Sequence, residues 1–246
     1  MKAARAEQLR LVDLANLDTR IAQLRFAKAN HPTLARIAEL EGQVADLHGS
    51  LVDSRTAVTD LTRELRKAES DVEQVVARQA KNQERLDSGA VGAKDALALT
   101  DELAALAKRQ SALEEVQFEV MERLEAHQKS LAEVEAAHQA LLDAKSEVEA
   151  ERDAAFAEIN EQGRALVTER AATAKGTDAA LVREYEAIKA RIGSAGAAIL
   201  RAGKCSGCGM HLNPTDLDAL LNAPEDQVNH CEECDRILIS LGDSAA

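Results

Sequence analysis

The chain has 246 residues, 46% of them hydrophobic but only 2% aromatic, with no Trp, one Tyr and three Phe. A single compact core of this size normally draws on aromatic side chains for buried area, so that architecture is disfavoured. Ala, Leu and Val mixed with 30% charged residues point to long helices or coiled coil. A net charge of −13 argues against broad, non-specific attraction to nucleic acid or to an anionic membrane surface.

The opening stretch, "MKAARAEQLRLVDLANLD", has no uninterrupted apolar run of the signal-peptide type. No segment approaches the roughly 20 apolar residues of a membrane span, so the expectation is a soluble, cytoplasmic protein with no membrane partner. The first arm is helical, with one break at "NHPT" (30–33). Pro32 there is either a kink or the first residue of a fresh helix. From Val44 onward, alternating steps of three and four meet Leu47, Leu51, Ser54, Val58, Leu61, Leu65, Ala68, Val72 and Val75, then Gln79, Asn82 and Leu86. A stripe repeating every ~3.5 residues keeps one face on a partner helix.

The stripe stops at "RLDSGAVGAKDAL", where Gly89 and Gly92 mark a turn and Asp95 is a candidate cap for the next helix. The glycines superficially resemble a phosphate loop, but they miss its spacing and no strand precedes them. A second arm follows to about Ala172, its seam running from Leu99 and Leu103 through Val120 and Leu124 to Val148 and Ile159. Gln110, Gln117, His127, His138, Lys145 and Arg152 interrupt it, which predicts looser packing or partial exposure. The arms are about equal and each could extend on the order of 120 Å at ~1.5 Å per residue. Equal arms around a short turn favour an antiparallel hairpin within one chain; a parallel dimer is the rival, and monomer or dimer stays open.

Gly176 ends the second arm, and Thr177 or Asp178 can cap the helix "DAALVREYEAIKARIG". Leu181, Tyr185, Ile188 and Ile192 share one face of it, so Tyr185 is expected to pack this helix against the hairpin base and the N-terminal turns rather than to bind a ligand. The domain plan is therefore 1–176 helical hairpin with its turn near 87–94, 177–199 connecting helix, and 200–246 a small β-rich C-terminal module.

All four cysteines lie in that last segment, as Cys205-x-x-Cys208 and Cys231-x-x-Cys234 separated by 22 residues. In a reducing compartment paired C-x-x-C motifs are metal ligands rather than disulfides. Four thiolates suit one tetrahedral Zn2+, in a closed structural site without an open position for water or substrate. Iron also accepts an all-thiolate site. Gly207 and Gly209 are expected to supply positive backbone angles. Asn213 and Pro214 start a short helix inside the insertion, while "AILRAGK", "QVNH" and "RILIS" read as short strands. A segment of about 45 residues has too little core to fold without such a staple. His211 and His230 flank the pairs as strand residues or outer donors, whereas His31, His48, His127 and His138 share no cluster.

Three stretches, "ALTDELAALAKRQSALEEVQFEVMERLE", "YEAI" and "CSGCGMHL" with "CEECDRILIS", make the chain resemble a bacterial family of coiled-coil proteins with a C-terminal four-cysteine zinc ribbon. The resemblance implies a long antiparallel helical hairpin carrying the ribbon at its base, with Cys205, Cys208, Cys231 and Cys234 as ligands. It also implies a range of partners: some members bind an alternative sigma factor as its chaperone, and others are linked to flagellar or secretion machinery, to RNA, or to nucleic-acid binding in general. Asp235 stands where the family usually has Gly, and Asp tolerates the left-handed conformation better than most residues.

The expected function is a non-enzymatic adaptor or chaperone that binds a protein partner of the transcription or secretion machinery. The alternative is a DNA- or RNA-binding zinc ribbon. From Leu200 onward Arg201, Lys204 and Arg236 face eight acids, a net −5, and no aromatic residue offers a base a stacking surface. No Ser-His-Asp arrangement or open metal site is legible, so no enzyme is expected.

Overall fold

Pro32 begins a fresh helix. In a computed structural model describing residues 1–241, α1 (Arg5–Ala29) ends at Asn30, and α2 (Pro32–Asp87) starts with the proline, whose missing N–H costs nothing in a first turn. After the turn at 88–92, α3 (Ala93–Lys175) returns antiparallel, giving a mainly α chain built on a long helical hairpin. Asp95 is not the cap expected of it. It lies within the first turn of α3, near the helix's positive end, because the helix already starts at Ala93. Two compact units result: Ala35–Glu149, and Met1–Leu34 joined to the chain from Ala150 onward.

The first unit is the hairpin proper. Along α2, Leu51, Leu61, Ala68 and Val75 are buried and the remaining seam positions are at least half-buried. The facing stripe of α3 buries Leu99, Val120 and Leu124, leaves most other positions half-buried and exposes His127. The polar interruptions thus have the predicted effect. Ion pairs bridge the arms at Arg55–Glu135 (2.8 Å), Arg78–Glu102 (2.5 Å) and Lys145–Glu41 (2.8 Å), all in one antiparallel register. His48 and His138, expected to be unrelated, face each other across the arms with ring centroids 6.0 Å apart. They occupy matching positions in that register, which a single-strand reading of either arm does not reveal.

Two substitutions test this seam. Changing Leu61 and Leu65 to Glu removes buried aliphatic contact and places charge in the stripe; a loss of at least about 3 kcal/mol is expected. A thermal melt like that of the parent chain would refute the assignment. Asn82 buries its side-chain amide nitrogen without a hydrogen-bond partner among the described residues. Asn82→Leu should therefore raise hairpin stability by about 1–3 kcal/mol, read as a higher melting temperature.

In the second unit α1 meets α4 (Ala179–Ile192) and a small sheet. Asp178 caps α4, accepting hydrogen bonds from Ala180 N (2.9 Å) and Leu181 N (3.0 Å), and Gly193 ends it in the left-handed conformation. Strands β1 (Ala197–Arg201), β2 (Lys204–Cys205), β3 (Asn229–His230) and β4 (Ile237–Ser240) form a sheet of order β2-β1-β4-β3. β1 runs parallel to β4 and antiparallel to β2; β3 is antiparallel to β4. The helix α5 (Pro214–Leu221), capped by Asn213, fills the insertion between the cysteine pairs as expected.

One core joins these parts: Leu11 and Leu14 of α1, Leu181, Tyr185 and Ile188 of α4, and Val228, Ile237 and Ile239 of the ribbon. Gly196 permits the close approach of β1 to α4, since a β-carbon there would stand 2.3 Å from the Tyr185 carbonyl oxygen. Tyr185 is fully buried, as its face predicted, and its hydroxyl donates to Asp18 at 2.6 Å. Asp18 also accepts hydrogen bonds from Arg170 (2.7 and 3.1 Å) and Lys189 (2.5 Å), while Arg170 additionally holds Glu186. Burial alone would raise the Asp18 pKa. The donors Arg170, Lys189 and Tyr185 outweigh it and hold the carboxyl at about 2.

Candidate metal centre

The two C-x-x-C turns are built alike. In the first, Cys205 O accepts from Gly209 N (2.8 Å) and Cys205 N donates to Met210 O (3.0 Å); in the second, Cys231 O accepts from Asp235 N (2.7 Å) and Cys231 N donates to Arg236 O (2.9 Å). Each turn needs a left-handed residue after its second cysteine: Gly209 at φ 76° and Asp235 at φ 61°. Asp235 thus takes the glycine role expected of it, and its carboxylate pairs with Arg191. Gly207 does not supply a positive angle. Its lack of a side chain serves packing instead, because a β-carbon there would lie 2.5 Å from Arg236 Cδ and 3.1 Å from Ala198 Cβ.

The four sulfur atoms converge. All lie within 4.8 Å of one another, with Cys205 Sγ 3.8 Å from Cys234 Sγ and Cys208 Sγ 3.9 Å from Cys231 Sγ. These separations far exceed a disulfide bond of about 2.05 Å. A tetrahedron of thiolates about 2.3 Å from zinc has edges of about 3.8 Å, so the donor set fits one Zn2+. Cys205 and Cys231 are fully buried among Ala198, Leu200 and Leu238, and Leu212, Leu217 and Leu220 pack around them. The site is closed on the protein side and has the character of a structural centre.

The thiols are unequal. Burial pushes Cys205 up and Cys231 to about 12, despite amides that point at their sulfurs: Cys208 and Gly207 at the first, Cys234 and Glu233 at the second. Burial also acts on Cys234, but the backbone N–H and guanidinium of Arg236 outweigh it and bring that thiol down to about 7. Arg236 is fixed in turn by Ala195 O (2.9 Å) and Ser194 Oγ (2.6 Å). Metal loading must displace protons from the buried pair.

The flanking histidines stay outside the thiol cluster. His230, on β3, pairs through Nε2 with Glu184 of α4 at 2.9 Å, and exposed His211 lies opposite Lys204 in an isolated antiparallel backbone bridge. Sequence reasoning did not single out Asp18, Arg170, Lys189 or Gly196. Asp18 had a legible signal, because an acid interrupts the stripe Leu11, Leu14, Ile21 at helical spacing.

Paired knuckles closing four thiolates on one ion, in a chain whose helices form a coiled-coil hairpin, define a C4-type zinc ribbon protein with a structural Zn2+. The chain belongs to the family of the CT398-like coiled coil hairpin domain, whose model matches residues 14–193; the C4-type zinc ribbon domain matches 204–238. It is 30% identical over 241 residues to the uncharacterized protein Rv2229c of Mycobacterium tuberculosis, spanning 98% of each chain. A solved structure from Mycobacterium smegmatis shares 30% identity at a TM-score of 0.87, covering 97% of this chain and 100% of its own. CT398 from Chlamydia trachomatis shares the fold at 21% identity and a TM-score of 0.66, covering 96% of this chain and 98% of its own. HP0958 from Helicobacter pylori does so at 15% and 0.53, covering 98% and 99%.

Proposed function

We propose that this protein is a non-enzymatic adaptor or chaperone of the cytoplasm that holds a protein partner, of the transcription or secretion machinery as the family resemblance implies. The observation that carries this reading is the character of the metal centre: every cysteine is committed to one closed, mostly buried site that stabilises a fold. What the chain offers outward is helix surface, with Phe26 70%, Leu97 68% and Phe118 59% exposed. The ribbon's net −5 and lack of aromatics weigh against docking on phosphates. Four cysteines set out as metal ligands rather than disulfides fit a reducing compartment, and no helix among the described residues is long and apolar enough to cross a membrane.

Affinity capture of the tagged, zinc-loaded protein from its own lysate, with and without nuclease, tests the proposal. A stoichiometric protein partner that survives nuclease is the expected result. Bound nucleic acid whose protein companions vanish on nuclease treatment would overturn it in favour of a nucleic-acid-binding ribbon.

A further inference from the structure

The second unit carries a groove whose charge opposes that of the whole chain. It runs between α1 and the last turns of α3, with a cavity of about 440 Å³ floored by Ile21, Leu24, Ile159 and Val167. A second cavity of about 430 Å³ shares Ile21, Arg25 and Val167 with it and continues to Lys189 and Ser194. Five cations line the two: Arg25, Lys28, Arg164, Arg170 and Lys189. The two carboxylates, Asp18 and Glu186, are consumed by Arg170 and Lys189. What remains is a net +3 carried by Arg25, Lys28 and Arg164, along the aliphatic stretch, in a protein of net −13.

Two details mark this stretch as open for binding. Arg25 and Arg164 form no ion pair among the described residues, while Lys28 contacts only neutral groups, Asn160 Oδ1 at 2.8 Å and the Phe156 ring at 5.1 Å. Gly163 sits in the groove wall, in the interior of α3, where glycine costs about 1 kcal/mol relative to Ala. No packing demands it, since a β-carbon there would meet nothing within 4 Å. Its effect is to keep the groove deep between the two helices.

We infer that this groove docks an amphipathic, acidic helix of a partner protein, with apolar residues on the aliphatic floor and Glu or Asp side chains on Arg25, Lys28 and Arg164. The inference rests on the adaptor reading and gives its partner a chemistry. From Ile159 to Arg170 the groove follows about three helical turns, roughly 16 Å at ~1.5 Å per residue, a length matched by a short helix-in-groove ligand. An aliphatic floor without an aromatic lining residue suits Leu and Ile side chains better than stacked bases. Charge complementarity supplies the choice between acidic and basic helices.

The test is fluorescence anisotropy on the full-length, zinc-loaded protein. The probe is a labelled synthetic helix with Leu on one stripe and Glu on its flanks; a Lys-for-Glu counterpart and a mixed-sequence single-stranded RNA are titrated alongside. Selective, salt-sensitive binding of the acidic peptide is expected. Arg25→Glu with Arg164→Glu, and separately Gly163→Leu, should each weaken it at least tenfold while circular dichroism stays that of the parent. No binding of the acidic peptide, equal binding of the Lys counterpart, or indifference to both variants would overturn the inference. So would RNA binding that displaces the peptide, or a dimer in light scattering that Gly163→Leu dissolves, since a second copy would then be the occupant. A nuclease-resistant partner captured equally well by the groove variants refutes the groove but not the adaptor reading. Peptide binding without any captured protein partner has the opposite meaning.

Discussion

Cys208→Ser should release zinc and unfold the ribbon while most of the helical signal persists. Three thiolates cannot close the tetrahedron, and the buried Cys205 and Cys231 would return to protonated thiols, as their upward-shifted pKa values dictate. Metal binding by a structural site contributes on the order of 10 kcal/mol, far beyond what this small sheet can supply alone. The ribbon adds only the 8 residues of α5 to helices of 25, 56, 83 and 14 residues. Far-UV ellipticity should therefore hardly change at low temperature, while chelator-accessible zinc is lost and proteolysis concentrates after Gly193. The core shared with Val228, Ile237 and Ile239 adds a second effect: α4 and the first turns of α1 should melt earlier than the hairpin. Loss of most of the helix would show that the ribbon holds the long arms together as well.

Asp18→Ala is the second large perturbation. It would strand Arg170 and Lys189 beside a buried Tyr185 hydroxyl, and removing one partner of a buried ion pair costs about 3–5 kcal/mol. Asp18→Asn should cost less, because the amide oxygen still accepts a hydrogen bond. The pH dependence has a defined sign. With a folded pKa of about 2 against the usual 3.8, Asp18 contributes stability that is fully present above pH ~4 and lost as pH falls towards 2. That contribution is about 2–3 kcal/mol at ~1.4 kcal/mol per pKa unit. Urea melts of the parent and Asp18→Asn chains at pH 7 and pH 3 should converge as the pH drops. At pH 3 the gap should be about half of that at pH 7; a gap of undiminished size would show that the carboxylate's charge does not stabilise this unit.

Periodicity made the hairpin legible, since the stripe from Val44 to Leu86 is a local pattern that one partner helix must cover. Spacing made the zinc ligands legible for the same reason: each C-x-x-C turn is a local structure. Long-range facts were not accessible in this way. That Asp18 meets Arg170, or that β1 and β4 pair in parallel, depends on segments more than a hundred residues apart in the case of the ion pair and about forty in the case of the strands. Glycine was read one way where two were open. Gly209 provides the left-handed angle and Gly207 the empty space beside Arg236, and neighbouring sequence alone does not tell them apart.

The shared core of α1 and the last strand sets an order of assembly. Ile237 and Ile239, which cover Leu11 and Leu14, follow them in the chain by more than two hundred residues. At a ribosome adding ~5–20 residues per second, that apolar stripe waits ten seconds or more for its native cover. Helix formation shortens the intervening chain locally and fast, so the arms can be complete before the two ends meet. The zinc-bearing strands then arrive on a helix made long before them. Until then that stripe lacks its native cover, and the covering strands hold their form only with zinc bound.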